Sequence, residues 1–272
     1  MSKRSWFDRL TTCGAAAARP EPVEGRVVFA WQIAFLVAVL VAWQAGVAFK
    51  LLDPFFVSRP TDIGRRMATW IVDGTLVRHL FVTIEESLLG LLIGAVLGIG
   101  SGFVLARSPM TARVFDPFIK MLNAVPRVVL APLFLLWFGL GIWSKVALAV
   151  TLVFFVMFFS TYEGVRNADP VLVDNVRMLG ATERQLVRHV LVPSALTWIF
   201  SSLQTSLGFA MVGAVVGEYL GATHGLGYVI AQAEGTFDTT GVFAGMTVLG
   251  VVVVVVSLGV SRLERWLLRW KA

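Results

Sequence analysis

Three ionisable side chains and one amide stand inside, or at the ends of, long apolar segments of this chain: Glu86, Arg127, Gln204 and Glu218. A charged group at the centre of a membrane costs ~2.5–3.5 kcal/mol on insertion scales, so such residues are candidates for a solute pathway. Arg127 could attract an anionic solute, or it could pair with Asp116. For the two glutamates the alternative is an interfacial carboxylate, exposed to water or paired across subunits.

The polar stretch around Gln204 interrupts an otherwise apolar helix. Serine or threonine occupies four further positions between residues 201 and 206, on more than one face of the helix. Polar side chains in a membrane helix serve either as contacts between helices or as the lining of a hydrated cavity. The spread over several faces favours a hydrated cavity, and contact between helices stays open as the alternative.

Nucleophilic and metal chemistry find little support in the sequence. The histidines His79, His189 and His224 show no metal-ligand spacing. Residues 98–102 contain a serine among glycines but do not match Gly-x-Ser-x-Gly, and no histidine is placed to activate that hydroxyl. An intramembrane hydrolase is therefore a remote alternative. We expect no catalytic, cofactor-binding or metal-binding residue in this chain.

The apolar segments define the class of protein. Hydrophobic residues make up 57% of the 272 residues and charged residues 15%, against ~45–50% and ~25% in soluble domains. Runs of ~18 or more apolar residues are long enough to cross a bilayer as a helix. Pro117, Pro126 and Pro132 interrupt the third such run. The sequence predicts an all-α membrane protein of about six transmembrane helices, at residues 27–49, 88–106, 114–138, 146–160, 193–217 and 242–261.

The basic residues predict the orientation of these helices. The net charge is +6, and lysine and arginine concentrate in alternate segments that include both termini and residues 161–192. Because basic loops stay in the cytoplasm, we expect both termini and this loop on the cytoplasmic side. Residues 1–26 are predicted to be a disordered cytoplasmic tail and residues 27–272 one transmembrane domain. Nucleic-acid binding is disfavoured, because the basic residues are spread between apolar blocks.

The predicted cytoplasmic loop carries the local chemistry of two short helices. Asp169 and Pro170 are typical of a helix start, with Asp as the cap and Pro in the first turn. Gly180 stands where that helix would end in a left-handed cap. Thr182 and Gln185 have the spacing of a capping box, which opens a second helix. A pair of capped helices in such a loop indicates a surface that contacts a partner.

The same loop contains a longer spaced pattern. Residues 174–176 read Asp-Asn-Val, Gly180 follows after three residues, and residues 190–193 read Val-Leu-Val-Pro after nine more. This spacing resembles the Glu-Ala-Ala-x3-Gly-x9-Ile-x-Leu-Pro motif of permease subunits of bacterial ATP-binding-cassette importers. Residues 126–141 and 217–228 look like the subfamily that imports nitrate, taurine and aliphatic sulfonates. The resemblance extends from about Val27 to the C-terminus.

The resemblance implies a multi-pass permease subunit of the bacterial inner membrane, which forms the translocation pathway for a small anionic solute such as nitrate, a sulfonate or taurine, or another organic acid. It implies a second copy of the chain or a related permease, two ATPase subunits that bind ATP and Mg²⁺, and a soluble solute-binding protein on the opposite side. The departure from Ala-Ala at Asn175 and Val176 leaves individual contacts open. The ATPase-coupling residues would be Asp174, Asn175, Val176, Arg177, Leu179, Gly180, Ala181, Thr182 and Pro193.

The sequence also indicates that this chain does not hydrolyse ATP itself. No Gly-x4-Gly-Lys-Ser/Thr phosphate loop occurs anywhere in it, which agrees with a non-catalytic subunit whose ATP is bound by another chain. The main alternative is a channel or secondary transporter that works alone. Two halves related by inverted symmetry would favour that alternative, and no such repeat is visible.

Overall fold

The computed structural model describes residues 22–267, and over this range the chain forms helices and no strands. A 3₁₀ turn, Arg127–Leu130, precedes the helix that begins at Ala131, and a π-helical turn, Val187–Leu191, joins the helix that ends at Leu186 to the one that begins at Val192. The helices are α1 Pro22–Ala48, α2 Pro54–Val57, α3 Pro60–Val72, α4 Thr75–Arg107, α5 Pro109–Ala124, α6 Ala131–Phe138, α7 Ile142–Arg166, α8 Pro170–Met178, α9 Glu183–Leu186, α10 Val192–Leu220, α11 Leu226–Gly235 and α12 Thr239–Leu267.

The prediction of an all-α membrane protein is confirmed. Five helical stretches of the described chain are long and apolar enough to cross a membrane: α1, α4, α7, the continuous helix from α9 through α10, and α12. A bent pair, α5 with the segment Arg127–Phe138, supplies a sixth if it counts as one span. The chain divides into an N-terminal unit that ends at Thr61 and a second unit that begins at Asp62. Residues 1–21 of the predicted tail lie outside the described range, and α1 begins at Pro22 rather than at Val27.

The third predicted helix is broken at only one of its three prolines. Its two parts meet at an angle of 81°. Val125 and Pro126 both have extended backbone, because a proline disfavours the helical conformation of the residue before it. Pro117 stays inside α5. Pro132 stands in the first turn of α6, where its missing N–H leaves no bond unmade.

The predicted loop at residues 161–192 is shorter than expected at both ends. Helix α7 continues to Arg166, and Glu183–Leu220 is one continuous helix of 38 residues. The sequence suggested that a new helix starts at Pro193, and this prediction is wrong because the helix is continuous through that residue. In the π turn before it, the Val192 N–H donates to the Val187 carbonyl, one residue further back than in an α-helix. Such a local adjustment lets a helix continue past a proline.

Close packing of α4, α7 and α10 forms the core of the second unit. The glycines of α4 lie against α7: a Cβ added at Gly98 would stand 2.6 Å from the Phe154 carbonyl oxygen, and one at Gly102 would stand 2.6 Å from that of Phe158. Small residues let membrane helices approach closely where lipid offers no hydrophobic drive. Leu91, Val153, Met157, Leu207 and Ala210 fill the space between the three helices.

Helix α11 was missed in the sequence, where residues 217–240 were read as a glycine-containing loop. Its ten residues are too few to cross a bilayer, so hydropathy alone gives no sign of it. Leu226, Ile230 and Ala233 are nevertheless buried, and α11 packs on α12 and α10. Helix α11 therefore packs over the end of the core at which α10 ends and α12 begins.

Candidate functional site

The start of the predicted helix pair has the expected cap. The Val171 N–H donates to the Asp169 carboxylate at 2.9 Å, and Pro170 occupies the first turn of α8. An Asp cap satisfies a backbone donor that the helix itself cannot. The predicted start of this helix is confirmed.

The end of α8 is a left-handed glycine cap. Gly180 has φ +79°, its N–H donates to the Arg177 carbonyl at 2.9 Å, and the Ala181 N–H donates to the Val176 carbonyl at 3.2 Å. These two hydrogen bonds form a Schellman motif, which satisfies two of the last carbonyl groups of the helix. The predicted left-handed cap at Gly180 is confirmed.

A reciprocal capping box opens the second helix. The Thr182 N–H donates to Gln185 Oε1 at 2.8 Å, and the Gln185 N–H donates to Thr182 Oγ1 at 3.4 Å. The box follows directly on the glycine cap, so the turn between α8 and α9 has a defined geometry. We call residues 169–186 the α8–α9 segment.

The α8–α9 segment exposes apolar side chains. Met178 is 80% and Leu179 87% exposed, and α8 buries none of its residues. Asp174 and Asn175 are exposed as well. A cavity of about 350 Å³ opens beside Gly180, between the two helices. Contiguous exposed apolar side chains mark surfaces that contact other proteins.

Glu183 forms two ion pairs, one inside the α8–α9 segment and one with α4. Glu183 lies 3.6 Å from Arg177 of α8 and 3.5 Å from Arg107 at the end of α4. Pro193, the last residue of the sequence motif, belongs to the first turn of α10. It therefore lies at the joint between this segment and the membrane helix, apart from the exposed surface.

A buried charge cluster, Glu86, Lys145 and Glu218, lies at the opposite ends of the same core helices. The three side chains are 3%, 1% and 1% exposed. The two carboxyl groups lie side by side, within coulombic range of the Lys145 ammonium. The alternative in which Glu86 and Glu218 are exposed to water is therefore wrong. Their assignment to a solute pathway stays a prediction.

Glu218 joins α10 to the turn that leads into α11. Its Oε1 accepts from the Thr83 hydroxyl at 2.6 Å and its Oε2 from the Gly227 N–H at 2.7 Å. Thr83 Oγ1 in turn accepts from the Leu226 N–H at 2.9 Å, so α4 takes part in the same network. The alternative of pairing across subunits is unnecessary for this carboxylate, because its own chain satisfies both of its oxygens.

Lys145 was missed in the sequence, because it lies between the predicted helices at residues 114–138 and 146–160. Helix α7 begins at Ile142, so Lys145 already lies in the first turn of a buried helix. Its Nζ donates to the carbonyls of Leu140 at 2.5 Å and Gly141 at 3.0 Å. Its position directly before an apolar run is the signal that could have identified it. Its burial beside two carboxyl groups was not visible, because those groups are far away in the sequence.

Arg127 is half-buried between α5 and α7. It donates to the Asn123 carbonyl at 3.2 Å and to the Asn123 side-chain oxygen, and its guanidinium lies 4.5 Å from the centre of the Phe155 ring. The alternative pairing with Asp116 is wrong, because Asp116 pairs with Lys120 at 2.6 Å. The other alternative, attraction of an anionic solute, stays a prediction.

Gln204 lies on an exposed face of α10. Ser201 and Thr205 are exposed on the same side, whereas Ser206 is fully buried. The polar stretch therefore divides into a buried part and an exposed part. Among the described residues, no group of three or more His, Cys, Asp and Glu side chains could hold a metal ion.

Comparison with known proteins agrees with this architecture. A family model described as binding-protein-dependent transport system inner membrane component matches residues 90–271. The "Putative aliphatic sulfonates transport permease protein SsuC" of Bacillus subtilis is 34% identical over 100% of this chain and 98% of its own length. The formylaminopyrimidine transport permease ThiX of Halalkalibacterium halodurans is 32% identical over 87% of this chain and 94% of its own.

A solved structure has the same fold. One chain of the methionine ABC transporter MetNI, in an inward-facing conformation, matches with a TM-score of 0.62 over 70% of this chain and 95% of that chain, at 20% identity. The resemblance seen in the loop motif thus extends over the three-dimensional arrangement of the helices. This chain belongs to the family of binding-protein-dependent transport system inner-membrane components, the permease subunits of ATP-binding-cassette importers.

Proposed function

We propose that this permease pairs with a second copy of itself and docks two separate ATPase subunits through the α8–α9 segment. One observation carries the proposal: a doubly capped helix pair with exposed Met178 and Leu179 is continuous with a membrane-spanning helix. Adjacent exposed apolar side chains outside the spanning helices favour contact with a partner surface. ATP and Mg²⁺ are bound by the ATPase, and this chain contributes no catalytic residue or cofactor.

The continuity of α9 and α10 supports a mechanical role for the docking surface. Glu183 begins the 38-residue helix that ends at Leu220. A displacement of the α8–α9 segment by the ATPase is therefore transmitted along a hydrogen-bonded helix rather than through a flexible loop. The ion pair between Glu183 and Arg107 links the same segment to the end of α4. Coupling of this kind requires packed elements with discrete arrangements.

The exposed polar face of α10 supports a pathway at the interface of two copies. Ser201, Gln204 and Thr205 lie on one exposed side of a helix that crosses the membrane. Polar side chains at membrane depth face a water-filled cavity or another protein chain rather than lipid. A second copy related by twofold symmetry would enclose this face and leave a hydrated passage between the subunits.

We propose a small anionic solute, such as nitrate, a sulfonate or taurine, or another organic acid. Arg127 keeps one buried donor, Nε, without a hydrogen-bond partner among the described residues. The orientation follows the positive-inside rule, with both termini and the α8–α9 segment in the cytoplasm. A soluble binding protein then delivers the solute from the other side. A stand-alone channel or secondary transporter is the rival function.

Co-purification tests the assembly. Expressed with the ATPase subunit of its own operon, the tagged chain should elute as a complex that contains two copies of each subunit. The doubly substituted variant Met178→Ser/Leu179→Ser should lose the ATPase but still elute as a permease dimer. Val72→Ser, at an equally exposed apolar position on α3, is the matched control and should keep the complex. Retention of the ATPase by the double variant would contradict docking at this surface.

A further inference from the structure

A polar cavity of about 350 Å³ lies between α5 and α7, apart from the buried charge cluster and the α8–α9 segment. We call it the α5–α7 groove. Its charged and aromatic lining consists of Arg113 and Asp116 from α5 and Tyr162 and Arg166 from α7, and Ala106 at the end of α4 closes one side. A cavity of this size is at the lower end of the range for small-molecule sites, ~300–1,000 Å³.

The groove carries an excess of positive charge. Arg113 forms no hydrogen bond or ion pair with any described residue. Asp116, the acidic residue of the lining, is already held by Lys120 at 2.6 Å. The guanidinium groups of Arg113 and Arg166 therefore face the cavity without a carboxylate of their own.

One of these arginines is held in a fixed position. Arg166 Nη1 donates to the Tyr162 hydroxyl at 2.7 Å, and its guanidinium lies 5.4 Å from the centre of the Tyr162 ring. That ring ends a column of stacked aromatic side chains on α7, with centroid distances of 5.8 Å from Phe154 to Phe158 and 6.0 Å from Phe158 to Tyr162. The column positions the Tyr162 ring, which in turn orients the Arg166 guanidinium. A preorganised guanidinium suits the planar, bidentate recognition of an oxyanion.

The polar character continues along α5 toward Arg127. Arg113, Asp116, Lys120 and Asn123 recur at intervals of three and four residues, so they share one face of the helix. Asn123 then holds Arg127, whose guanidinium contacts the Phe155 ring of α7. Both ends of this stripe thus lie next to α7, and cations outnumber the single carboxylate along it.

We infer that the α5–α7 groove binds the oxyanion group of a small organic anion, such as a sulfonate. The inference rests on the proposed transport of a small anionic solute and adds the residues that bind its charged group. A phosphate group of an anionic lipid has related chemistry and is the other source of a ligand for such a site. The experiment below separates the two.

The test measures the electrostatic potential of the groove with charged thiol reagents. The full chain carries Cys13→Ser and a single new cysteine, Ala106→Cys, in the groove lining. The rate of modification by the sulfonate reagent 2-sulfonatoethyl methanethiosulfonate is divided by the rate for its trimethylammonium analogue. A Thr223→Cys chain, with its cysteine in the exposed turn after α10, is the control. Labelling needs neither ATPase nor binding protein, so its outcome is independent of the assembly test.

Neutralising charges in the groove should change this ratio in both directions. One unit charge a few ångströms away in water changes the local concentration of an ion about threefold. Because the two reagents carry opposite charges, their rates change in opposite directions. Arg113→Gln or Arg166→Gln should therefore lower the ratio of the two rates about tenfold. Asp116→Asn should raise the ratio, an increase that a misfolded chain would not produce. The Thr223→Cys ratio should not respond to any of the three. An unchanged ratio at Ala106→Cys in both arginine variants would overturn the inference.

Nanodiscs of defined composition decide the source of the ligand. Ala106→Cys should react with the sulfonate reagent at the same rate in phosphatidylcholine discs with and without phosphatidylglycerol, and added ethanesulfonate should slow it in both. Slower labelling only in discs that contain phosphatidylglycerol, without protection by ethanesulfonate, would assign the groove to a lipid headgroup and overturn the inference.

Discussion

Glu218 is the residue that joins three elements through a single carboxylate. Its two oxygens accept from Thr83 of α4 and from the Gly227 N–H of α11, while its backbone belongs to α10. The Thr83 hydroxyl also accepts from the Leu226 N–H, so α11 is held by two bonds in this network. A carboxylate suits this position because it can accept from both donors at once.

Replacing Glu218 with Gln should destabilise the fold at α11. The amide oxygen can accept from the Gly227 N–H, whereas the amide NH₂ can donate to the Thr83 hydroxyl only if that hydroxyl turns its proton to the His79 carbonyl, and neither bond then involves a charged group. A hydrogen bond to a charged group is worth ~1.5–3 kcal/mol, so we expect a loss of this order in the free energy of unfolding. The measurement is the melting temperature in detergent, followed by size-exclusion chromatography of heated samples.

Glu85→Gln is the matched control, because it makes the same chemical change at the exposed neighbour of Glu86. Its melting temperature should stay at the wild-type value. Equal melting temperatures for Glu218→Gln and the wild type would show that the network around Glu218 does not stabilise α11.

Single residues also mark the limit of reasoning from sequence. The membrane setting made Glu86, Arg127 and Glu218 conspicuous, because a charge in an apolar segment is visible in the sequence itself. Their partners were not visible: Lys145 and Thr83 are far from Glu218 in the chain, and Arg127 contacts Asn123 rather than Asp116. The position of a charge is local information, whereas its burial depends on helix packing.

The helices of the α8–α9 segment form from local chemistry, which is why the sequence predicted them well. The Asp169 cap, the Gly180 cap and the Thr182 capping box each need only neighbouring residues. The continuity of α9 with α10 was not predictable in the same way. A proline favours a helix start, and only the π turn before Pro193 shows that the helix passes through it.

Gly180 offers a direct test of this segment as a coupling element. Its φ of +79° disfavours any side chain, and a Cβ added there would meet no atom within 4 Å. The cost of a substitution is therefore conformational, ~1–2 kcal/mol and more for a β-branched residue. Gly180→Val should reach the membrane in normal amounts but change the angle between α8 and α9 and abolish transport. Gly180→Ala should be intermediate.

Gly180→Asn is the matched control, because Asn tolerates the left-handed conformation better than other residues. It should keep most of the uptake. The measurements are uptake in proteoliposomes and the stimulation of ATP hydrolysis by loaded binding protein. Wild-type uptake with unchanged stimulation in Gly180→Val would exclude the segment as the coupling element.

Hydropathy identifies the membrane-spanning helices of the chain but not its shorter elements. The apolar runs predicted five of the spanning helices and the bent third segment, although the fourth run, at residues 146–160, is shorter than its helix Ile142–Arg166. Helix α11 and the 81° bend after α5 depend on short segments and on Pro126, which a hydropathy average cannot resolve. The orientation rests on the distribution of basic residues.

The orientation is tested with single cysteines in a Cys13→Ser background. Thr182→Cys lies in the α8–α9 segment and Thr223→Cys in the turn before α11. An impermeant maleimide added to intact cells should label Thr223→Cys and leave Thr182→Cys unlabelled, because the positive-inside rule puts the two residues on opposite sides. Permeabilised cells, in which both should react, are the control. Equal labelling of both in intact cells would exclude the proposed topology.

Solute uptake in proteoliposomes tests the central claim most directly. The chain is reconstituted with its ATPase and with the binding protein of its operon on the outer side, and uptake of that protein's ligand is measured. Uptake should require ATP and Mg²⁺ inside the vesicles, should require the binding protein outside, and should be absent when the ATPase is left out. Equal uptake by this chain alone, driven by a proton or sodium gradient without ATP, would contradict the account.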